Sequence, residues 1–199
     1  MIPDSNSYFS VPHHFNVYLA SWDANQALPT DDELRDMQSV GLKLLTEVKS
    51  LEANCLLQLR NLDNDAKAVV DFLKLQSRKV DLVLQHVLEK EVQDGELFKG
   101  DQFGGSGISI ISSRPLVVNE HVKTHIYLHT ELVALLCLCQ IQSCTPVSTD
   151  DATETAYWRC ELEFSQILED DIEQLVKASL NVQQKMLKKR KQNIDKQRS

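Results

Sequence analysis

The chain has 199 residues, 42% apolar and 25% charged, which fits one ordinary globular domain, or a small domain with an extension, and excludes global disorder. Its best apolar run, the eight residues Leu132 to Cys139, falls far short of the roughly 20 that a membrane-spanning helix needs. Net charge is −8, but residues 188–198 carry +5 and leave −13 for the remainder; so acidic a body repels nucleic acid, and no DNA partner is expected.

Residues 1–29 read as an ordered but irregular leader. Tyr8, Phe9, Phe15, Tyr18 and Trp22 are too many large apolar groups for a free tail, and Phe15–Leu19 suits a short strand. The opening MIPDSNSYFSVP lacks the basic start and apolar core of a secretory signal, so the expected location is cytoplasmic.

Residues 30–95 read as two helices. Thr30 followed by Glu33, just after Pro29, is a capping box. A seven-residue repeat follows: Leu34, Gly41, Val48, Cys55 and Leu62 hold one position, and Met37, Leu44, Leu51 and Gln58 hold the other. Asn61 to Asp65 supplies a break and a new cap. The second helix carries Val69, Phe72, Leu73, Val80, Val83, Leu84, Val87 and Leu88.

Residues 96–165 switch to period two, the mark of strands. Gly107–Ser112 is one strand, Arg114-Pro115 a turn, and Val117–His129 a longer strand region. Leu135, Cys137, Cys139 and Ile141 share a strand face; Trp158, Cys160, Leu162 and Phe164 alternate with Tyr157, Arg159, Glu161 and Glu163. Short strands at this spacing predict a small antiparallel barrel. Residues 166–199 form a last long helix, capped by Ser165, with Glu169, Asp170 and Asp171 at its positive end and a basic tail at the other. Its stripe is Leu168, Ile172, Leu175, Ser179, Val182 and Met186. Helices of this size reach roughly 40 Å, longer than a barrel of some 70 residues. Their stripes pack either within the chain or against other copies in a helical bundle.

No constellation of catalytic residues emerges. His121, His125 and His129 alternate with apolar residues, as on an exposed strand face; four residues along a strand is about 13 Å, too far to share a metal ion. Gly104-Gly105-Ser106-Gly107 lacks the last glycine of a nucleophile elbow, because Ile108 stands there. Asp150, Asp151 and Glu154 have no glycine among them for a calcium loop. The five cysteines, Cys55, Cys137, Cys139, Cys144 and Cys160, are odd in number, form no C-x-x-C, and read as buried reduced thiols.

The run Asp101-Gln102-Phe103-Gly104-Gly105-Ser106-Gly107-Ile108 resembles the signature strand D/N-x-S-x-x-G of bacterial PilZ domains. Tyr157–Phe164 resembles the family's closing strand, and a helix ending in Lys188-Lys189-Arg190-Lys191 is also similar to the family's. The resemblance covers about 100–120 residues. It implies an α+β fold, a small antiparallel PilZ-like β-barrel flanked by long heptad-bearing α-helices, and a place in cyclic di-GMP signalling without enzymatic activity. It also implies a nucleotide site built from R-x-x-x-R before the barrel and from the signature strand. Here Gln102 stands for Asp or Asn, Gly104 stands for Ser, and only Gly107 matches; no two arginines are four apart.

The expectation is a degenerate PilZ protein with weak or absent cyclic di-GMP binding and no metal or other cofactor. It oligomerises, as a tetramer by resemblance, through Leu34, Met37, Leu44, Val48, Leu51, Leu168, Ile172, Leu175, Val182 and Met186, and recruits protein partners. The alternative is a true receptor with a non-standard site drawing on Arg78, Arg114, Lys188, Lys189 and Arg190.

Overall fold

The computed structural model describes residues 10–59, 67–147 and 157–198. Tyr8, Phe9, the break at Asn61–Asp65 and the acidic group Asp150, Asp151 and Glu154 lie outside these residues. Two units divide the chain: Met1–Leu34 with Asp94–Ser199, and Arg35–Gln93.

The first unit holds strands β1 (Ser10–Ser21), β2 (Glu96–Gly104), β3 (Gly107–Ser112), β4 (His121–Leu128), β5 (Val133–Val147) and β6 (Tyr157–Gln166). All neighbours are antiparallel, and they close a barrel in the order β1-β2-β3-β6-β5-β4. Alternation dictates the interior: Val11, Phe15, Val17 and Leu19 of β1, Ile108 and Ile110 of β3, Leu135, Cys137, Cys139 and Ile141 of β5, and Cys160 and Leu162 of β6 form one core. Phe15 and Phe103 meet edge to face inside it, ring centroids 5.8 Å apart. Closure leaves this sheet no unpaired edge.

The barrel begins earlier than period two alone places it. Ser10–Ser21 is not an irregular leader but a strand of twelve residues, hydrogen-bonded to β2 on one side and β4 on the other. Pro12 and the pair His13-His14 hide its alternation, because the ladder carries an extra β1 residue between Pro12 and Phe15. Such a bulge absorbs a proline and re-aims the neighbouring side chains. β4 starts at His121 rather than Val117, after a turn in which Asn119 takes φ 71° and donates its N–H to the Ile141 carbonyl at 2.7 Å. His125 is buried, and His121 and His129 are half-buried, so these three do not make an exposed face.

Ser165 and Gln166 complete β6, Gln166 pairing with Leu138, so Ser165 caps no helix. The last helix, α4 (Glu169–Arg198), starts where the Leu168 carbonyl accepts the N–H groups of Asp171 and Ile172. It packs on β1, β2 and β5. Its seven-spaced stripe is covered by its own barrel: Leu175 and Val182 lie in the core, Leu168 is buried, Met186 packs against the core and Ile172 is half-buried.

Among the described residues three helices, not two, lie between β1 and β2: α1 (Asp31–Asp36), α2 (Val40–Leu59) and α3 (Lys67–Lys90). The capping box forms as expected, with Glu33 Oε2 accepting from the Thr30 N–H at 2.8 Å and from its hydroxyl at 3.0 Å. The heptad from Leu34 is not one helix, because the chain restarts at Ser39. The Ser39 carbonyl accepts from the Lys43 N–H, and its hydroxyl accepts from the Leu42 N–H at 3.1 Å. Leu34 is buried in the first unit, Met37 and Val48 are half-buried, and Leu44, Leu51 and Cys55 are exposed.

In the second unit α2 and α3 form an antiparallel hairpin. Glu91 staples its end: its carboxylate accepts from the Ser39 hydroxyl at 2.6 Å and from the Gly41 N–H at 2.8 Å. A Cβ on Gly41 would sit 2.6 Å from that carboxylate, so the staple requires glycine at this position of the seven-residue repeat. The negative charge also faces the positive end of α2.

Candidate functional site

The signature-strand residues occupy one end of β2. Phe103 is fully buried, so Gln102 beside it points away from the barrel interior, while Gly104 is buried and has no side chain. The Ser10 hydroxyl donates to Gln102 Oε1 at 3.2 Å. Gly107 opens β3 opposite Glu163, where a Cβ would strike the Leu162 carbonyl oxygen. Its lack of a side chain therefore serves close packing of β3 on β6. Gly105, between them, lies beneath α4; a Cβ there would be 3.1 Å from Val176 Cγ2.

Register assembles a polar face on β2, β3 and β6. Gln102, Ser109, Glu161 and Ser143 are lateral partners in one row; Lys99, Ile111, Arg159 and Thr145 make the next. Between the rows, β2 carries one extra residue, Asp101. That bulge directs Asp101 Oδ2 to within 2.9 Å of an Arg159 guanidinium nitrogen. The Asp101 side chain is 15% exposed and that of Arg159 46%. Asp101 Oδ1 and Ser109 Oγ are buried without a hydrogen bond, a state that costs about 1–3 kcal/mol per group. Both oxygens can accept a hydrogen bond, the Ser109 hydroxyl can also donate one, and neither is open to solvent on this face. The face does not suit two phosphates: Arg159 is neutralised by Asp101, and Glu161 and Glu163 stand beside it.

The other candidate cations do not gather there. The Arg114 guanidinium donates to Glu96 Oε2 at 2.6 Å. Arg78 is exposed on α3 of the second unit, and Lys188, Lys189 and Arg190 are exposed on α4. The alternation of residues 157–164 put Arg159 on the outer face, but the bulge that delivers Asp101 to it had no signal beyond Asp101 itself.

A second cluster ties α4 to the barrel. His13, in the β1 bulge, hydrogen-bonds Thr130 Oγ1 through Nε2 at 2.8 Å and stacks edge-on against Phe103. Burial lowers its pKa, against the pull of Glu131. The buried Glu131 carboxylate accepts from Lys185 Nζ of α4 at 2.7 Å. Among the described residues, no three His, Cys, Asp or Glu side chains converge to hold a metal ion, and no helix is long and apolar enough to cross a membrane.

No family model matches the chain, and no curated protein matches its sequence. Solved structures match its fold. A Xanthomonas campestris protein, described as a tetrameric PilZ domain self-assembled via a helical bundle, superposes over 92% of this chain and 91% of its own, with a TM-score of 0.52 at 10% identity. K. pneumonia MrkH in its apo state matches over 47% of this chain at 16% identity and a TM-score of 0.43; the chain spans only 43% of MrkH. The PilZ domain of Escherichia coli YcgR with c-di-GMP matches over 51% of this chain and 83% of its own, at 12% identity and a TM-score of 0.42. The closed six-stranded barrel with its added helices, matched almost end to end by the Xanthomonas structure, gives this chain an α+β PilZ-like fold.

Proposed function

We propose that this protein is a self-assembling, non-catalytic adaptor of cyclic di-GMP signalling, located in the cytoplasm, which recruits protein partners and itself binds the nucleotide weakly or not at all. The observation that carries the reading is the outer face of α3. Leu73, Val80 and Val87 recur every seven residues, and Val69, Gln76 and Val83 form the companion series. That is the a/d pattern of a coiled coil. Its five apolar members are all exposed, up to 63% at Val83, and so is Phe72 beside them. From Val69 to Val87 this seam runs along about 27 Å of the helix.

The occupant that fits is α3 of a second copy, because a strict seven-residue repeat is matched by a helix of the same period. Each Val or Leu there is already about half covered, so burying the remainder returns about 1 kcal/mol. The helical bundle named for the tetrameric Xanthomonas protein supports the same arrangement, and a tetramer, for this chain. Leu44 and Leu51 of α2 add exposed apolar surface to the same unit. Sedimentation of Val80→Lys/Val83→Lys against the unaltered chain tests the seam: the reading requires an assembly that the double variant dissolves.

One observation favours a second reading, a true receptor. Asp101 Oδ1 and Ser109 Oγ lack hydrogen bonds, and a guanine edge supplies donors. Calorimetric titration with cyclic di-GMP at near-physiological salt separates the two. The adaptor shows no binding up to about 100 µM, weaker than roughly −5.5 kcal/mol. Low-micromolar binding lost in Asp101→Ala makes the chain a receptor.

A further inference from the structure

Cys144 of β5 and Cys160 of β6 are directly opposed partners in the antiparallel ladder, and their sulphurs lie 2.8 Å apart. Two other thiols, Cys137 and Cys139 on one strand, approach only to 3.6 Å. Opposed residues of antiparallel strands have Cα atoms about 4.5–5.5 Å apart, inside the roughly 4.4–6.8 Å window of disulfides. An S–S bond of about 2.05 Å needs the two sulphurs to close by under about 1 Å. Cys144 is half-buried while Cys160 is buried, so an oxidant in solution meets Cys144 first. The Leu116 N–H donates to Cys144 Sγ at 3.3 Å and holds that sulphur in place.

We propose that Cys144 and Cys160 form a reversible disulfide when a peroxide reaches Cys144. The Cys144 sulphur attacks one peroxide oxygen, the O–O bond breaks, and the departing hydroxide takes up the thiol proton as water. Cys144 is then a sulfenic acid. The Cys160 sulphur attacks it, the S–O bond breaks, and the hydroxide leaves as a second water with the Cys160 proton. Two thiols are oxidised to one disulfide, and the peroxide is reduced to two waters. Burial, and then the neighbouring Cys144, push the Cys160 thiol up to about 12, which disfavours Cys160 as the thiol that meets the peroxide; its attack on the sulfenic acid rests instead on the 2.8 Å between the two sulphurs. A small thiol reductant reverses the bond by exchange. The bridge fastens β5 to β6 near the Val147 end of one and the Tyr157 end of the other.

The test is hydrogen peroxide treatment of the folded full-length chain, followed by intact mass and peptide mapping. The expected result is the loss of two hydrogens, a linked peptide joining Cys144 to Cys160, two fewer thiols open to alkylation, and full reversal by dithiothreitol. In Cys160→Ser, dimedone captures a sulfenic acid on Cys144. Retention of all five thiols, a linkage through Cys55, Cys137 or Cys139 instead, or further oxidation of Cys144 to sulfinic acid in the unaltered chain overturns the proposal. The unaltered protein gives these outcomes even if the serine variant does not fold.

Discussion

Asp101 Oδ2 lies 2.9 Å from the Arg159 guanidinium, with β3 running between their two strands. The partners are unequally wetted, so removing them is not equivalent. Arg159→Ala strands a carboxylate that is 15% exposed, whereas Asp101→Asn leaves a guanidinium that water reaches. After discounting for partial exposure, Arg159→Ala is expected to cost about 1–2 kcal/mol and Asp101→Asn under about 0.5 kcal/mol. Urea unfolding of both variants checks the ordering; equal costs would mean that burial does not set the energetics of this pair.

Gly107 and Gly105 differ sharply although both belong to one glycine-rich turn. Gly107→Ala drives a methyl into the Leu162 carbonyl, while Gly105→Ala meets only the end of the Val176 side chain. The expected outcome is a loss of several kcal/mol for Gly107→Ala, by separation of β3 from β6, and under about 1 kcal/mol for Gly105→Ala. Thermal unfolding of the two variants measures it. The matching glycine of the signature strand is thus explained by barrel packing.

Glu91→Ala removes the acceptor of both the Ser39 hydroxyl and the Gly41 N–H. Loss of two hydrogen bonds to a charged group is expected to cost about 2–3 kcal/mol in the helical hairpin. Amide hydrogen exchange should rise in α2 and α3 and stay unchanged in the barrel. Uniform acceleration across both units would contradict a local role.

Asp81 on α3 supplies the pH dependence. Burial first, and Glu52 second, raise its carboxyl pKa above the ordinary 3.8. A raised acid is easier to protonate when folded, so its contribution favours the folded state at low pH. That contribution fades as pH climbs from about 3.8 through the raised value. At neutral pH, Asp81→Asn is therefore expected to stabilise by a few tenths of a kcal/mol, discounted for partial exposure. Unfolding midpoints of the two proteins should converge near pH 3; a constant gap across pH would contradict the assignment.

Where side-chain pattern and backbone agreed, the sequence was legible: the Thr30–Glu33 box, the alternation of Cys137 to Ile141, and the acidic start of α4 all appear as read. Of β1 only Phe15–Leu19 was legible; the bulge that places Pro12 and two histidines inside the strand hid the rest. The seven-spaced positions of α4 announced a partner without saying which, and the barrel takes that place. On α3 the same kind of repeat remains exposed. The Asp101–Arg159 pair and the Cys144–Cys160 pair depend on strand register across residues far apart in the chain, and local periodicity does not encode it.

The most direct test of the account is the mass of the full chain by sedimentation equilibrium, with and without cyclic di-GMP at about 100 µM. The proposed tetramer predicts an assembly near four times the 22.6 kDa of one chain, the same in both conditions. A mass of 22.6 kDa throughout, or an assembly that appears only with the nucleotide, would contradict it.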